Sequence, residues 1–154
     1  MSVVEDRLAG EGYAVPEVVP PLASYLPAAR SGSLVFTAGQ LPFVQGTLVA
    51  TGKLGADVDP ETAVQCARVC ALNALGAVKG LIGDLDRVTR VVKVTVFVAS
   101  DPSFTGQPAV ANGASDLLGL AFGEAGLHAR SAVGVASLPL DAPVEVEIVV
   151  EVSD

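Results

Sequence analysis

Basic residues are scarce in this chain of 154 residues, where 9 Lys and Arg stand against 17 Asp and Glu and the formal net charge is −8. Proteins that bind nucleic acid neutralise phosphates with clustered lysine and arginine, and the nearest approach to a cluster is Arg87, Arg90 and Lys93. Tryptophan is absent and only 2 Tyr and 5 Phe occur, so platforms for base stacking are few. The composition therefore disfavours nucleic acid as a partner.

Long apolar runs are also missing. Although 51% of the residues are hydrophobic, no segment approaches the ~18 uninterrupted apolar residues that a membrane helix requires. Glu5 and Asp6 make the first residues acidic where a secretion signal would be basic, which predicts a cytoplasmic protein without a membrane partner. A chain this apolar is expected to cover part of its surface with other copies of itself.

Cysteine and histidine are too few for most metal sites. Cys66 and Cys70 lie four residues apart in a helical pattern, where they are poorly placed to form a disulfide. A metal ion would need further ligands, and the single histidine, His128, is distant in sequence. The dinucleotide fingerprint, the phosphate loop and the nucleophile elbow are absent as well. We therefore predict structural thiols, no metal and no cofactor.

Two helices are predicted after a lead-in of residues 1–30, within a single domain spanning residues 1–154. Pro16, Pro20, Pro21 and Pro27 prevent long regular structure in the lead-in. The first helix begins at Asp59-Pro60-Glu61, where an aspartate caps free N–H groups and a proline suits the first helical position. It ends at Gly83, and the second helix covers about 107–124 and is closed by Gly126. Each has an apolar stripe, which includes Val64, Ala67, Ala71, Leu75, Val78 and Ile82 in the first.

Five strands are predicted from alternation and from β-branched composition. They cover residues 33–37, 48–49 (after a hairpin-like turn at Gln45-Gly46-Thr47), 90–100, 131–138 and 144–152. The valines expected on one face of the third strand are Val92, Val94, Val96 and Val98. The order of elements predicts one mixed sheet with both helices on one face. Because the other face is apolar too, another subunit is its simplest cover.

Arg130 is the most informative polar residue. It lies in His128-Ala129-Arg130-Ser131 at the start of a strand, and a guanidinium can hold a small carboxylate by two parallel hydrogen bonds. The other interpretation is an ion pair with a surface acid. Glu145 and Glu147 are expected to face Arg130 from the last strand, unless they form the exposed face of an edge strand. The residues alone indicate a small α/β oligomer with a candidate anion site.

Three blocks, in this order, are similar to those of the Rid family (YjgF, L-PSP; reactive intermediate deaminases). Residues 37–42, T-A-G-Q-L-P, resemble its T-S-G-Q-I/L-P signature, and residues 92–98, V-K-V-T-V-F-V, resemble its central strand. Residues 129–131, A-R-S, followed by L-P at 138–139 and V-E-V-E at 144–147, resemble its closing pattern. Together the blocks span about residues 20–152.

The resemblance implies a chorismate-mutase-like α+β fold: a mixed β-sheet with two helices packed on one face, assembled as a homotrimeric barrel with ligand clefts between subunits. It also implies a hydrolase that converts small 2-imino or enamine acids to 2-keto acids and ammonia without a cofactor. By position, Arg130 would grip the substrate carboxylate and Glu145 would orient or deprotonate the attacking water. The other residues implied to line the cleft are Tyr25, Ala38, Gly39 and the backbone of Ala132.

Several departures from the family pattern leave a second hypothesis open. Ala38 stands where the signature usually has Ser, and Ala132 stands where deaminating members often have Cys. The segments 46–58 and 99–128 are longer than in compact members. These features indicate a divergent branch, for which the alternative is a non-catalytic trimeric binding module for small carboxylate metabolites. A nuclease role, which is sometimes attached to the family name, is disfavoured by the charge of −8.

Overall fold

The computed structural model describes residues 2–18 and 23–154, so Pro20 and Pro21 of the lead-in lie outside the described residues. The helices and strands are α1 (Val3–Gly10), β1 (Ala28–Ser31), β2 (Leu34–Thr37), β3 (Phe43–Val44), β4 (Thr47–Leu48), α2 (Pro60–Ile82), β5 (Val88–Ala99), α3 (Gln107–Phe122), β6 (Ala129–Val135) and β7 (Val144–Val152). The lead-in thus contributes both a short helix and a strand.

The main sheet has five strands in the order β1-β2-β7-β5-β6. β5 and β6 are parallel, and the other neighbours are antiparallel. β3 and β4 form a separate hairpin, so the strand predicted at 48–49 does not belong to the main sheet. β1, which the sequence pattern does not predict, pairs with β2 instead. The predicted mixed α+β sheet is confirmed with this change in its membership.

Helices α2 and α3 pack on each other and on one face of the sheet, as predicted. The Asp59 carboxylate caps α2 by accepting the Thr62 N–H at 2.7 Å. Gly83, with φ of 87°, ends the helix. α3 is shorter than predicted because Gly123, with φ of 61°, ends it, and Gly126 closes the short 3₁₀ turn that follows.

Alternation along β5 and β7 places valines beneath the helices. The buried pairs on this face are Val94 with Ile148, Val96 with Val146, and Val98 with Val144. The prediction for Val92 is wrong, because the pairing of β5 with β7 shifts register between Val91 and Lys93. This β-bulge puts Val91 into the core and leaves Val92 half-buried.

The two long helices approach each other closely at Gly113, where a Cβ would collide with the backbone carbonyl of Val64. Gly113→Ala is therefore expected to push the helices apart and to lower the free energy of unfolding by about 1–3 kcal/mol, as measured by urea denaturation. Gly119→Ala in the same helix is the matched control, since nothing lies within 4 Å of its Cβ position. The control should raise stability by about 0.5–1 kcal/mol, because alanine favours the helix. Equal losses in both variants would contradict this packing.

The sheet face away from the helices is open in the protomer. Phe36 of β2 and Val133 of β6 are each 43% exposed. Phe97 of β5 is level with Val133 on one side and with Glu145 on the other. The apolar second face that the sequence predicts is present, and a second copy of the chain remains its predicted cover. None of the helices in residues 2–18 and 23–154 combines the length and hydropathy needed to cross a bilayer.

Candidate functional site

A cavity of about 670 Å³ lies between the segment that follows β2, the start of β7 and the middle of α2. Its walls are mostly apolar and include Val18, Tyr25 and Leu41. The polar side chains at its walls are Glu17, Gln40, Gln45, Asn73 and Glu145. An apolar cavity with a few polar groups is the usual form of a small-molecule site.

Backbone pairing brings Gly39 and Glu145 together at this cavity. The Gln40 N–H donates to the Val146 carbonyl at 2.8 Å, and the Val146 N–H donates to the Gln40 carbonyl at 3.0 Å. The Glu145 carboxyl group occupies the space in which a Cβ on Gly39 would lie. Any side chain at position 39 would therefore displace the carboxylate from the cavity wall.

The environment of the Glu145 carboxyl group shifts its pKa upward. Burial raises its pKa, and the like charge of Glu147 on the same strand raises it further. A raised pKa suits a carboxylate that accepts a proton near neutral pH. β7 is central in the sheet, so the alternative that these two residues form the exposed face of an edge strand is wrong.

Glu147→Gln is expected to lower the pKa of the Glu145 carboxyl group toward its ordinary value, because it removes a like charge that contributes to the shift. Part of the shift should remain, since burial is the larger cause. An NMR titration of the Glu145 side-chain carboxyl carbon measures the change. Glu151→Gln, at an exposed position on the same strand, is the control and should leave the titration unchanged. An unaltered titration in Glu147→Gln would contradict the contribution of its charge.

Arg130 lies on the edge strand β6, and its side chain reaches α3. Its Nη1 donates to Oδ1 of Asn112 at 2.7 Å and to Oγ of Ser115 at 3.2 Å. Among the described residues, no carboxylate forms an ion pair with this guanidinium. The alternative of a surface ion pair within the chain is therefore wrong. In the part of the chain that the structure describes, Nε and Nη2 have no hydrogen-bond partner. This edge of a guanidinium has the geometry with which arginine binds a carboxylate bidentately.

Arg130 and Glu145 do not meet within one chain. Glu145 is expected to face Arg130 from a neighbouring strand, but β5 lies between β6 and β7. Arg130 is level with Val94 of β5, whereas Glu145 is level with Phe97. Strand spacing and rise place the two residues about 14 Å apart, and strand alternation puts their side chains on opposite faces. The expectation of neighbouring strands is wrong.

Three of the predicted residues lie together at the cavity. Tyr25, which is 57% exposed, Gly39 and Glu145 all line it, and we call these three the carboxylate half-site. Ala38 is half-buried beside Gly39, and its N–H donates to the Pro27 carbonyl at 2.8 Å. Ala38 therefore holds the wall of the half-site through its backbone.

The remaining predicted residues, Arg130 and Ala132, lie two positions apart on one face of β6, and we call them the arginine half-site. Sequence reasoning missed Asn112 and Ser115, which contact Arg130 from α3. A signal existed, because this polar pair is spaced i, i+3 on a helix whose other polar side chains are only Gln107 and Asp116. It also missed the contact between Ser115 Oγ and His128 Nε2, which are 2.9 Å apart.

Two further features of the cavity were missed, and no local sequence signal marks them. Asn73 of α2 donates from Nδ2 to the carbonyls of Leu41 and Phe43, both at 3.0 Å. These bonds hold the cavity wall against the helix. Pro16 forms another part of the wall, and its carbonyl lies where a Cβ on Gly76 would collide with it. The absence of a side chain at Gly76 lets the lead-in lie against α2.

Both cysteines are buried and unbridged. Burial raises the pKa of the Cys66 thiol to about 11, and it raises the pKa of the Cys70 thiol well above its ordinary value. The Cys70 thiol lies 3.6 Å from the Val144 carbonyl. Thiols in apolar surroundings with raised pKa values are unreactive, which confirms the prediction of structural thiols.

Comparison with known proteins identifies the family. A family model described as "YjgF/chorismate_mutase-like, putative endoribonuclease" matches residues 5–152. Protein TCP17 of Trypanosoma cruzi is 46% identical over 144 residues, which cover 93% of this chain and 90% of TCP17. The crystal structure of Atu1372 from Agrobacterium tumefaciens, a protein of unknown function, matches with a TM-score of 0.92 and 45% identity over 98% of this chain and 93% of Atu1372. E. coli TdcF with bound serine matches with a TM-score of 0.62 and 26% identity over 90% and 94% of the two chains. The chain therefore belongs to the YjgF/chorismate-mutase-like family, as the three sequence blocks predict.

Proposed function

We propose that the protein hydrolyses small 2-imino or enamine acids to 2-keto acids, with release of ammonia, in clefts between copies of the chain. The observation that carries the proposal is the guanidinium of Arg130, which α3 holds by Nη1 alone and which has no carboxylate partner among the described residues. A planar Nε–Nη2 edge matches the two oxygens of a substrate carboxylate. TdcF, a relative, has been crystallised with serine, an amino acid that carries such a group.

Glu145 supplies the proton transfers in this proposal. Its carboxylate accepts a proton from water as the water oxygen bonds to the imino carbon of the iminium ion and the C=N π electrons move to the nitrogen, which gives a carbinolamine. The resulting carboxylic acid returns the proton to the nitrogen. The C–N bond then breaks with release of ammonia, as the hydroxyl proton passes to the Glu145 carboxylate and the keto group forms. Glu145 finally loses this proton to the ammonia or to solvent. Hydrolysis of an iminium ion is intrinsically rapid, so a positioned water and a gripped carboxylate suffice without a nucleophilic side chain.

Two copies of the chain complete one site. The half-sites lie on different faces of one sheet, so we assign the carboxylate half-site to one copy and the arginine half-site to the next. A closed ring of three copies, which the family resemblance implies, repeats this junction around the ring. The same assembly covers the exposed side chains of Phe36 and Val133.

The direct test uses imino acids generated in place by an amino-acid oxidase or a dehydratase. The purified protein is expected to accelerate the release of 2-keto acid and ammonia above the rate in buffer. Glu145→Gln serves as the inactive control prepared in the same way. Release at the buffer rate with the native protein would contradict the hydrolase.

Activity should reappear when two inactive variants are combined. Arg130→Ala and Glu145→Gln chains are co-expressed with different tags, and mixed assemblies are purified through both tags. A site with an intact Arg130 and an intact Glu145 then forms wherever the two kinds of chain adjoin in the right order. Every mixed ring of three copies contains one such junction, so the purified assemblies should have about a third of the native activity. If both residues served one site within a single chain, the mixture would stay as inactive as either variant.

The second candidate is a binding module that holds a small carboxylate metabolite without turning it over. Ala38 and Ala132 favour it, because both stand where relatives of the family often have a polar side chain. This candidate predicts a thermal shift with pyruvate and no product from imino acids. Product release above the buffer rate would exclude it.

Endoribonuclease activity, which the description of the family model mentions, is not expected. The net charge of −8 repels a polyanion, and no basic track is present in the sequence to neutralise its phosphates. RNA cleavage that persists in Arg130→Ala would indicate a contaminant rather than this site.

A further inference from the structure

We infer that Asn112, Ser115 and His128 are positioning residues, which fix the direction in which Arg130 presents its guanidinium. The inference rests on the proposed function, in which Arg130 binds the substrate carboxylate. None of the three positioning residues belongs to either half-site.

A chain of hydrogen bonds runs from the backbone at Gly126 to Arg130. His128 Nδ1 lies 2.6 Å from the Gly126 carbonyl oxygen, and a carbonyl only accepts, so Nδ1 carries the hydrogen. The other nitrogen, Nε2, is then the acceptor of the neutral ring. It lies 2.9 Å from Ser115 Oγ, so the serine hydroxyl donates to it. The hydrogen of Ser115 is thereby committed to His128.

Because its hydrogen is used in the bond to His128, the Ser115 hydroxyl group can only accept a hydrogen bond from Arg130. Its lone pairs remain, and Arg130 Nη1 donates to Oγ at 3.2 Å. Asn112 Oδ1 accepts the second hydrogen of Nη1 at 2.7 Å. Asn112 and Ser115 are spaced i, i+3 and therefore lie on the same side of α3. Both hydrogens of Nη1 are thus held by one rigid helix.

The guanidinium group of Arg130 is planar, so anchoring one of its nitrogens orients the whole group. Two bonds to one nitrogen fix both the position of that nitrogen and the plane of the group, so the opposite edge, Nε with Nη2, has a fixed direction. An arginine without such anchors samples many rotamers and loses that freedom when it binds a carboxylate. A guanidinium that is already oriented loses less conformational entropy when it binds a carboxylate.

Ser115→Ala is expected to weaken binding of pyruvate roughly three- to tenfold, because it removes one of two anchors. Isothermal titration calorimetry gives the dissociation constant for pyruvate, and the imino-acid assay gives the kinetic counterpart. The loss should appear in KM with kcat nearly unchanged, because the carboxylate is held alike before and during the reaction. Ser115→Thr keeps the hydroxyl group and should restore most of the affinity.

Matched variants separate positioning from general damage to the fold. Asn112→Ala, at an exposed position, should weaken pyruvate binding by a similar factor without lowering the melting temperature. His128→Phe should give a smaller loss, because it acts only through Ser115. Ser33→Ala, an exposed serine between β1 and β2, should bind pyruvate as the native protein does.

The decisive measurement is Ser115→Ala in the Arg130→Ala background. If Ser115 acts through Arg130, the second substitution should have no further effect on pyruvate binding or on kcat/KM. An equal loss in both backgrounds would overturn the inference, and so would native affinity in Ser115→Ala alone. If the native protein neither binds pyruvate nor hydrolyses imino acids, the proposed function fails and this inference fails with it. Failure of the inference alone leaves Arg130→Ala defective and Ser115→Ala normal.

Discussion

Arg130→Ala should lower kcat/KM for an imino acid roughly 10- to 150-fold, because it removes a charge-assisted pair that contributes about 1.5–3 kcal/mol. No carboxylate among the described residues neutralises the guanidinium, so a substrate carboxylate is its expected counter-ion. Arg130→Lys should recover only part of the loss, since an ammonium group lacks the planar fork. Steady-state kinetics at a fixed ionic strength measure all three proteins.

A structural role for Arg130 predicts a different outcome. If the residue mainly joined subunits, Arg130→Ala would reduce the assembled mass in size-exclusion chromatography with light scattering. Mass and pyruvate affinity should therefore be measured on the same preparation. An intact assembly that binds pyruvate as well as the native protein would remove Arg130 from the site.

Glu145→Gln should reduce kcat by about 10²- to 10⁴-fold, the range that a positioned general base contributes. Glutamine keeps nearly the size and shape of the carboxyl group, so the cavity wall beside Gly39 is preserved. KM should change little, because Arg130 holds the substrate. Glu151→Gln, an exposed position on the same strand, is the matched control and should retain native kcat.

Glu145→Gln should also make the protein more stable at neutral pH. The folded state raises the pKa of Glu145 through burial and through Glu147, so the folded protein binds a proton there more readily than the unfolded chain does. The contribution of Glu145 to stability therefore falls as pH rises from the ordinary glutamate range through the raised pKa. Above it, the ionised carboxylate is a cost that glutamine removes.

Melting temperatures across pH test this sign. Glu145→Gln should exceed the native protein by the largest margin near pH 7, and the margin should shrink as the solution is acidified. Lower stability with an unchanged kcat would contradict both the electrostatic account and the catalytic assignment. Removal of an active-site charge at a gain in stability is a common trade-off in enzymes.

Local chemistry made the helices predictable. Asp59 and Pro60 begin α2 in the structure, and the same pair predicts a helix start from the sequence alone. Alternation identifies which residues of β5 and β7 share a face, but it carries no information about which strands are neighbours. The central position of β7 and the bulge at Val92 depend on pairing between residues at least 46 positions apart. No local pattern reports such pairing.

The candidate site could also be predicted only in part from the sequence. Arg130 and Glu145 were found through the sequence blocks that they belong to. Their separation within one chain could not be found there, since it depends on β5 lying between their strands. The contacts of Ser115 require α3 to pack beside β6, so a serine in a mostly apolar helix could be noted from the sequence but not assigned to the arginine.

The position of β7 has a consequence for how the protein folds during synthesis. β2 and β5 each pair with β7 and not with each other. A growing chain that has not reached residue 144 can form only two separate strand pairs of the main sheet, β1 with β2 and β5 with β6. Earlier segments leave the ribosome first, so these pairs can form before β7 has been synthesised. Until then their unpaired edge strands are exposed, and such strands are prone to aggregation. The step that closes the sheet also delivers Glu145, so a nascent chain gains the carboxylate that we propose as its general base only when the main sheet is completed.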